Sequence, residues 1–334
     1  MKSFLVYTML LLTLCACEEK KQNTENLTKT NPITSMKAEL LLDTKSSLGE
    51  GALWNAKRHE LYWIDIENGI LYVYQPQKQK NRAIKLGKKV GTVVPTEDGQ
   101  VLVALQDGIY KLDLETEKLR LLAQRPDNNP KNRFNDGKCD PAGRFWVGTM
   151  SMEGEQKAGA LYLFDNEGKI SKKYDSVTVS NGIVWNIDST KMYYIDTPTK
   201  EVKEFAYNNA TGEVSFTKVA VQIPDNAGYP DGMTIDSDGM LWIAMWEGFG
   251  VLRFDPNTGA QLLKIELPVA RVTSCAFGGE NLDTLYITTA NVGASEEELK
   301  QYPNSGSVFV VKTGHKGVAN FAYKEKKKKM SVGF

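Results

Sequence analysis

Four oxygen-bearing side chains stand in similar settings along the chain, each just ahead of an apolar run. They are Glu50, Asn135, Asn181 and Asp231, and each is followed by a glycine within two positions. Carboxylates placed close together repel one another, which raises their pKa values unless a cation joins them. Oxygen ligands without cysteine or histidine suit Ca²⁺, Mg²⁺ or Mn²⁺. Asx-Gly pairs also form simple tight turns, but Glu50 is a poor turn residue, so the set indicates one divalent cation site.

Histidine is too scarce for several common kinds of catalytic site. The chain has only His59 and His315, and both stand in polar, turn-like segments. A Ser-His-Asp triad or an H-E-x-x-H zinc site would need a histidine in another setting. Lys+Arg and Asp+Glu both number 41, so no excess of positive charge favours nucleic acid. The chemistry is therefore expected to depend on carboxylates, amides and a metal ion.

Short strands in a repeat are expected to position these side chains. Residues 54–65 and 185–196 share one pattern of apolar strand, polar turn and aromatic strand, and 140–147 and 236–243 share a version with a tighter turn. Such segments are typical of β-hairpins. Their reference positions recur every 39 to 48 residues, at Trp63, Leu102, Trp146, Tyr194, Trp242 and Tyr286. This period predicts an all-β fold, a six-bladed β-propeller with four-stranded antiparallel blades. A β-sandwich with chance repeats is the alternative.

The repeat also predicts where the four polar residues lie. Glu50, Asn135, Asn181 and Asp231 precede their reference residues by 13, 11, 13 and 11 positions, and the two longer offsets belong to the repeats with longer turns. In a propeller, such positions surround one end of the central axis. We therefore expect the four side chains to converge there.

The N-terminus has the features of an export signal. Met1 to Cys17 contains Lys2, an apolar run and then small residues, as in a lipoprotein signal peptide. The expected product is an exported lipoprotein, periplasmic or anchored to the outer membrane, which contacts the membrane only through its N-terminal lipid. The expected segments are a signal peptide (1–16), lipidated Cys17 opening a disordered tether (17–36), the propeller (37–325) and a basic tail (326–334).

Several motifs, in order along the chain, resemble the regucalcin, senescence marker protein and gluconolactonase family. The resemblance extends from about Glu39 to Tyr323. Each motif is weak alone, but together they are specific. They are Gly49-Glu50-Gly51, Arg133-x-Asn135-Asp136-Gly137-Lys138, Ser180-Asn181-Gly182, Pro230-Asp231-Gly232-Met233 and Thr273-Ser274-Cys275-x-Phe277-Gly278-Gly279.

The resemblance implies roles for individual residues. Glu50, Asn181 and Asp231 would be the protein ligands of one divalent cation, expected to be Ca²⁺, with Zn²⁺, Mg²⁺ or Mn²⁺ as alternatives. Asp231 would also be the catalytic general base. Ala52 departs from the proline usual in the family, which would loosen the loop that holds Glu50. The residues implied to bind substrate are Arg133, Asn135 and, for sugar hydroxyls, Glu153.

The expected activity is hydrolysis of a sugar lactone or a similar small ester, by a monomer that binds no nucleic acid. Two alternatives remain open on the same scaffold. One is a hydrolase of other small esters or of phosphotriesters, because a fold does not determine the substrate. The other is a non-catalytic propeller that binds calcium or a sugar acid.

Overall fold

A computed structural model of the chain describes residues 34–326, and the regular secondary structure of these residues is almost entirely β-strand. Two N-terminal strands, β1 (Thr34–Lys37) and β2 (Glu39–Leu42), precede six antiparallel sheets. The first three sheets each take four consecutive strands. Blade 1 has β3 (Gly49–Asn55), β4 (Glu60–Asp65), β5 (Ile70–Gln75) and β6 (Lys80–Lys85); blade 2 has β7 (Val90–Pro95), β8 (Val101–Leu105), β9 (Gly108–Leu112) and β10 (Leu119–Gln124); blade 3 has β11 (Asn132–Cys139), β12 (Phe145–Ser151), β13 (Gly159–Phe164) and β14 (Ile170–Val177).

The last three sheets follow the same plan, and the described residues contain one short α-helix, α1 (Glu296–Gln301). Blade 4 has β15 (Ser180–Trp185), β16 (Lys191–Asp196), β17 (Glu201–Asn208) and β18 (Glu213–Gln222); blade 5 has β19 (Tyr229–Ile235), β20 (Leu241–Trp246), β21 (Gly250–Phe254) and β22 (Gln261–Glu266); blade 6 has β23 (Val272–Gly278), β24 (Thr284–Thr289) and β25 (Val308–Lys312), with β2 as its outer strand.

In each blade, the first strand of the first hairpin lies innermost. These six inner strands close a ring. Each inner strand contacts the next, from β3 through β7, β11, β15 and β19 to β23, which returns to β3. The prediction of a six-bladed β-propeller is therefore confirmed. We call the end of the channel where the inner strands begin the mouth, and the opposite end the base.

The N-terminal strands differ in one respect from the sequence prediction. Residues 34–36 were placed in the tether, but they belong to β1, which pairs in parallel with β22 and gives blade 5 a fifth strand. An unpaired outer strand exposes backbone hydrogen-bonding groups, and β1 covers part of that edge. Strand pairing of this kind depends on a distant edge that the local sequence does not reveal.

Burial follows the layers of the ring. The inner strand β3 is buried along its whole length, whereas the outer strand β6 is mostly exposed. Trp63, Trp146 and Trp242, three of the six reference residues, are fully buried in the hydrophobic clusters of the fold. The repeat is therefore visible in the sequence because each copy supplies the same packing element.

The base is crossed by the segment that follows the last strand. Its backbone and side chains bond to blades 6, 5, 1, 2 and 3, through Gly317, Asn320, Tyr323 and Lys324. Tyr323 is buried and stacks on Phe164. With this segment across the base, we expect a small molecule to approach the axis from the mouth.

Candidate active site

All six inner strands have a β-bulge close to the mouth, where the pairing with the next strand shifts. A bulge places an extra residue in one strand and re-aims the side chains beside it. The sequence-predicted polar residues lie at these bulges. The skipped positions are 51–52 in blade 1, 91 in blade 2, 135–136 in blade 3, 181–182 in blade 4, 231–232 in blade 5 and 273 in blade 6.

The strand register supports the predicted equivalence of Glu50 with Asn181, because Gly49 pairs with Asp65 as Ser180 pairs with Asp196. The bulge itself starts at Asn135, Asn181 and Asp231 in their blades, whereas in blade 1 it starts at Gly51, one residue after Glu50. Gly51 has a positive φ of 61°, which suits glycine. Its backbone N–H donates a hydrogen bond of 2.7 Å to Oε2 of Glu50.

Blade 2 carries no side chain at its bulge. Its residue there is Gly91, and a Cβ at this position would lie 2.5 Å from the carbonyl carbon of Phe134 in blade 3. That distance is too short for any side chain, because real Cβ atoms do not approach a backbone so closely. The close contact between blades 2 and 3 explains why this bulge carries glycine.

Glu50, Asn181 and Asp231 meet in a buried cluster, which we call the acid–amide cluster. Each of the three residues is at most 6% exposed. Burial, followed by the charges of Asp231 and Asp136, raises the pKa of Glu50 well above its usual range. Burial raises the pKa of Asp231 to about 7, although hydrogen bonding with Glu50 and Asn181 opposes the rise. The two carboxyl groups are therefore close together and poorly solvated.

The amide of Asn181 has an acceptor with no hydrogen bond. Its Nδ2 donates to Oγ1 of Thr197 at 3.0 Å, and that hydroxyl donates to the carbonyl of Pro230 at 2.9 Å. Oδ1 of Asn181 is buried and has no partner among the described residues. Buried polar atoms are normally satisfied, and a divalent cation would satisfy this oxygen while neutralising both carboxylates. The residues therefore fit a hard cation with oxygen ligands.

Asp136 is a third buried carboxylate, to which the sequence analysis gave no role. It occupies the second bulge position of blade 3, and its Oδ1 accepts a 2.7 Å hydrogen bond from the N–H of Gly137. Burial raises its pKa, against the opposing charge of Lys138. Lys138 in turn donates across the channel to the carbonyl of Met233 at 2.8 Å. The sequence signal was Asp136 itself, next to Asn135, but the repeat singled out only one residue per blade.

Arg133 and Asn135 lie beside the acid–amide cluster. Nη1 of Arg133 donates to Oδ1 of Asn135 at 2.6 Å and to the carbonyl of Phe134 at 2.9 Å. Nδ2 of Asn135 donates to the carbonyl of Ser180 at 2.7 Å. Burial lowers the pKa of Arg133, and the charges of nearby carboxylates, including Glu50, oppose this. Within residues 34–326 this guanidinium forms no ion pair shorter than 4 Å, so it is available to an incoming oxygen.

Comparison with known families decides the relationship. The model for the SMP-30/gluconolactonase/LRE-like region matches residues 48–291. The chain belongs to this family. The match spans the inner strands of all six blades, and the resemblance inferred from the sequence motifs is confirmed.

Individual relatives in the SMP-30/gluconolactonase/LRE-like family align with this chain over nearly their whole length. A Bacillus subtilis protein named "Putative sugar lactone lactonase YvrE" is 40% identical over 274 residues, covering 82% of this chain and 94% of the relative. Regucalcin of Xenopus laevis is 33% identical over 297 residues, covering 87% of this chain and 99% of the relative. The solved structure of a regucalcin from Agrobacterium tumefaciens, described as a calcium-binding protein, aligns with a TM-score of 0.83 at 26% identity. The alignment covers 87% of this chain and 98% of the regucalcin chain.

Glu153, a substrate-binding residue expected from the family resemblance, does not join the acid–amide cluster. Glu153 is 61% exposed, and its Oε2 accepts a 2.6 Å bond from Nζ of Lys131. No hydrogen bond between described residues links its carboxylate to the cluster. Cys17 lies outside the described residues, so its lipidation stays a prediction. Among residues 34–326, no helix is long and apolar enough to span a membrane.

A second group of potential metal ligands lies at the base of this family member. Asp236, Asp238 and His315 have ligand atoms within 4.8 Å of one another. Asp236, however, already accepts hydrogen bonds from Nε1 of Trp242 at 2.9 Å and from Nε of Arg253 at 2.8 Å. The Arg253 guanidinium supplies the positive charge there, so this group fits a structural ion pair better than a metal site.

Proposed function

We propose that this chain is a divalent-cation-dependent hydrolase that opens the ring of a sugar lactone. The observation that carries the proposal is the buried Oδ1 of Asn181, which has no partner within residues 34–326 and lies beside the carboxyls of Glu50 and Asp231. The name of the Bacillus subtilis relative and the family description support a lactone as substrate. Glu50, Asn181 and Asp231 would hold the cation, and Ca²⁺ is the ion we expect.

The bound cation would polarise the lactone carbonyl and stabilise negative charge on its oxygen. The chain's own residues would orient the reactants. Asp231 would hold a water molecule and accept its proton as the water oxygen bonds to the carbonyl carbon. The bond from that carbon to the ring oxygen then breaks, and the proton passes from Asp231 to the released alkoxide. The product is a hydroxy acid.

Arg133 and Asn135 would hold the substrate during these steps. The guanidinium of Arg133 has N–H donors left after its bonds to Asn135 and Phe134, and it can donate to a carbonyl or hydroxyl oxygen. Asn135 is fixed by its bond to Ser180. Fixed groups of this kind raise the rate by aligning the reacting atoms.

Turnover of a lactone panel tests this function. We expect protein stripped of metal by a chelator to be inactive on aldonolactones and to regain turnover when Ca²⁺ or another divalent cation is added, measured by the pH drop above spontaneous hydrolysis. An aryl ester and a phosphotriester serve as comparison substrates. Faster turnover of either one would favour a hydrolase of other small esters or of phosphotriesters. Cation binding without turnover of any substrate would favour a calcium-binding protein, as the Agrobacterium relative is described.

A further inference from the structure

The mouth contains a second arginine at the position that corresponds to Arg133. Arg133 directly precedes Phe134, the last paired residue before the bulge of blade 3, and Arg271 directly precedes Val272, the last paired residue before the bulge of blade 6. The carbonyl of Arg271 accepts a 3.0 Å bond from the N–H of Ala290, which extends the strand pairing. Blades 3 and 6 are opposite in a ring of six. The two arginines therefore occupy corresponding positions on opposite sides of the mouth.

Arg271 belongs to a cluster with an aromatic ring and a carboxylate, which we call the mouth cluster. Its guanidinium carbon lies 5.7 Å from the ring centroid of Trp246 in blade 5. Nη1 lies 3.2 Å from Oε1 of Glu298, and Nη2 lies 3.5 Å from Oε2. Glu298 is fixed in turn, because its side chain accepts a bond from the N–H of Ser295 and completes the capping box of α1. The cluster thus joins blades 5 and 6 to the long connection between β24 and β25.

A similar cluster at the base shows what a fully bonded arrangement looks like. There the Arg253 guanidinium carbon also lies 5.7 Å from a tryptophan ring, that of Trp242, but its Nε bonds to Asp236 at 2.8 Å. Asp236 is fully buried and has four donors. The base cluster is therefore closed and satisfied.

The mouth cluster, in contrast, has hydrogen-bonding capacity left over. Its arginine–carboxylate contacts measure 3.2 and 3.5 Å. Strong charged hydrogen bonds between such groups are shorter, at about 2.7–2.9 Å. Nη2 of Arg271 also lies 3.5 Å from the carbonyl of Gly293, and its buried Nε has no partner in the described part of the chain. Glu298 is 37% exposed, and the Arg271 side chain keeps 11% exposure. An oxygen-rich ligand at the mouth would complete these bonds.

The chemistry of the mouth cluster matches a polyhydroxylated ring. An aromatic face accepts the C–H side of a sugar, a guanidinium donates to hydroxyl oxygens, and a carboxylate accepts hydroxyl protons. Arg271 and Glu298 carry opposite charges, so the pair does not require an anionic ligand. We propose that Arg271, Trp246 and Glu298 form a second substrate subsite, which binds hydroxyl groups of the sugar lactone on the side away from Arg133. This subsite rests on the proposed lactonase function.

Kinetics of Arg271→Lys test the subsite. Lysine keeps the charge beside Glu298 and Trp246 but loses the planar set of donors. We expect the KM for glucono-δ-lactone to rise about tenfold, as for one lost charged hydrogen bond, with kcat unchanged. The KM for δ-valerolactone, which has no hydroxyl groups, should not change. Glu298→Gln should act in the same direction, and Arg253→Lys in the base cluster controls for stability.

The outcomes separate this subsite from the proposed function. An unchanged KM for glucono-δ-lactone in Arg271→Lys, or an equal rise for both lactones, would overturn the subsite while the lactonase function stands. If the wild type hydrolyses neither lactone, calorimetric binding of gluconate to the Ca²⁺-loaded protein decides. Binding about tenfold weaker in Arg271→Lys supports the subsite, and equal or undetectable binding in both proteins overturns it.

Discussion

Replacing Asp231 by asparagine should lower kcat for the lactone by about a thousandfold, within the range expected for loss of a general base. Asparagine has nearly the same shape, but it cannot take a proton from water and brings no negative charge to the cation. The fold should persist, because the substitution removes a buried negative charge that raises the pKa of Glu50. Steady-state kinetics at saturating Ca²⁺, with thermal melting of the same samples, measure both effects.

Glu50→Gln is the matched control for Asp231→Asn. It removes the same charge from the acid–amide cluster, but Glu50 has no proposed role in proton transfer. We expect its activity to recover substantially as the Ca²⁺ concentration rises, whereas that of Asp231→Asn stays low. If Asp231→Asn keeps near-full turnover at saturating Ca²⁺, Asp231 is not the general base.

Replacing Asp236 by alanine should have the largest effect on stability, about 3–5 kcal/mol, as when one partner of a buried ion pair is removed. Its carboxylate accepts bonds from two backbone N–H groups, from Nε1 of Trp242 and from Nε of Arg253, all within 3.0 Å. Alanine leaves these donors unsatisfied and deprives the nearly buried Arg253 of its closest counter-charge. Equilibrium unfolding in urea measures the loss.

Asp238→Ala provides the control for that stability measurement. Asp238 also contacts Arg253, at 3.3 Å, but its side chain is mostly exposed, so its removal should cost less than about 1 kcal/mol. If Asp236→Ala unfolds within 1 kcal/mol of the wild type, the base cluster does not stabilise blade 5 as described. The activity per folded molecule should stay unchanged in both variants.

Features that repeat along the chain could be predicted from the sequence. Asp140 and Asp236 open the same Asp-x-x-Gly-x-x-Trp hairpin, and in both the carboxylate accepts bonds from the hairpin backbone and from the tryptophan six residues later. Because these bonds join residues close together along the chain, the hairpin can be predicted from its sequence motif. The six blades followed from such patterns, and Asn135, Asn181 and Asp231 could be placed at one end of the axis.

Features set by register or by distant partners could not be predicted. Glu50 precedes its bulge by one residue, because the bulge depends on pairing with β4 rather than on the motif itself. The strand β1 forms only because the edge of blade 5 is available to it. Arg271 and Glu298 are 27 positions apart and meet across the blade 6 connection. Glu153 was assigned from the family resemblance, and its loop turns the side chain toward Lys131.

The cation site itself can be tested by titrating Ca²⁺ into chelator-stripped protein in a calorimeter at pH 5 and pH 8. Because the pKa of Asp231 is about 7 without a cation, this carboxyl is protonated at pH 5, and the cation must displace its proton. At pH 8 it is ionised. We expect one equivalent of Ca²⁺ to bind per chain, more tightly at pH 8 than at pH 5, and far more weakly in Glu50→Gln. Absence of binding at pH 8, or an affinity that Glu50→Gln leaves unchanged, would contradict a cation held by Glu50, Asn181 and Asp231.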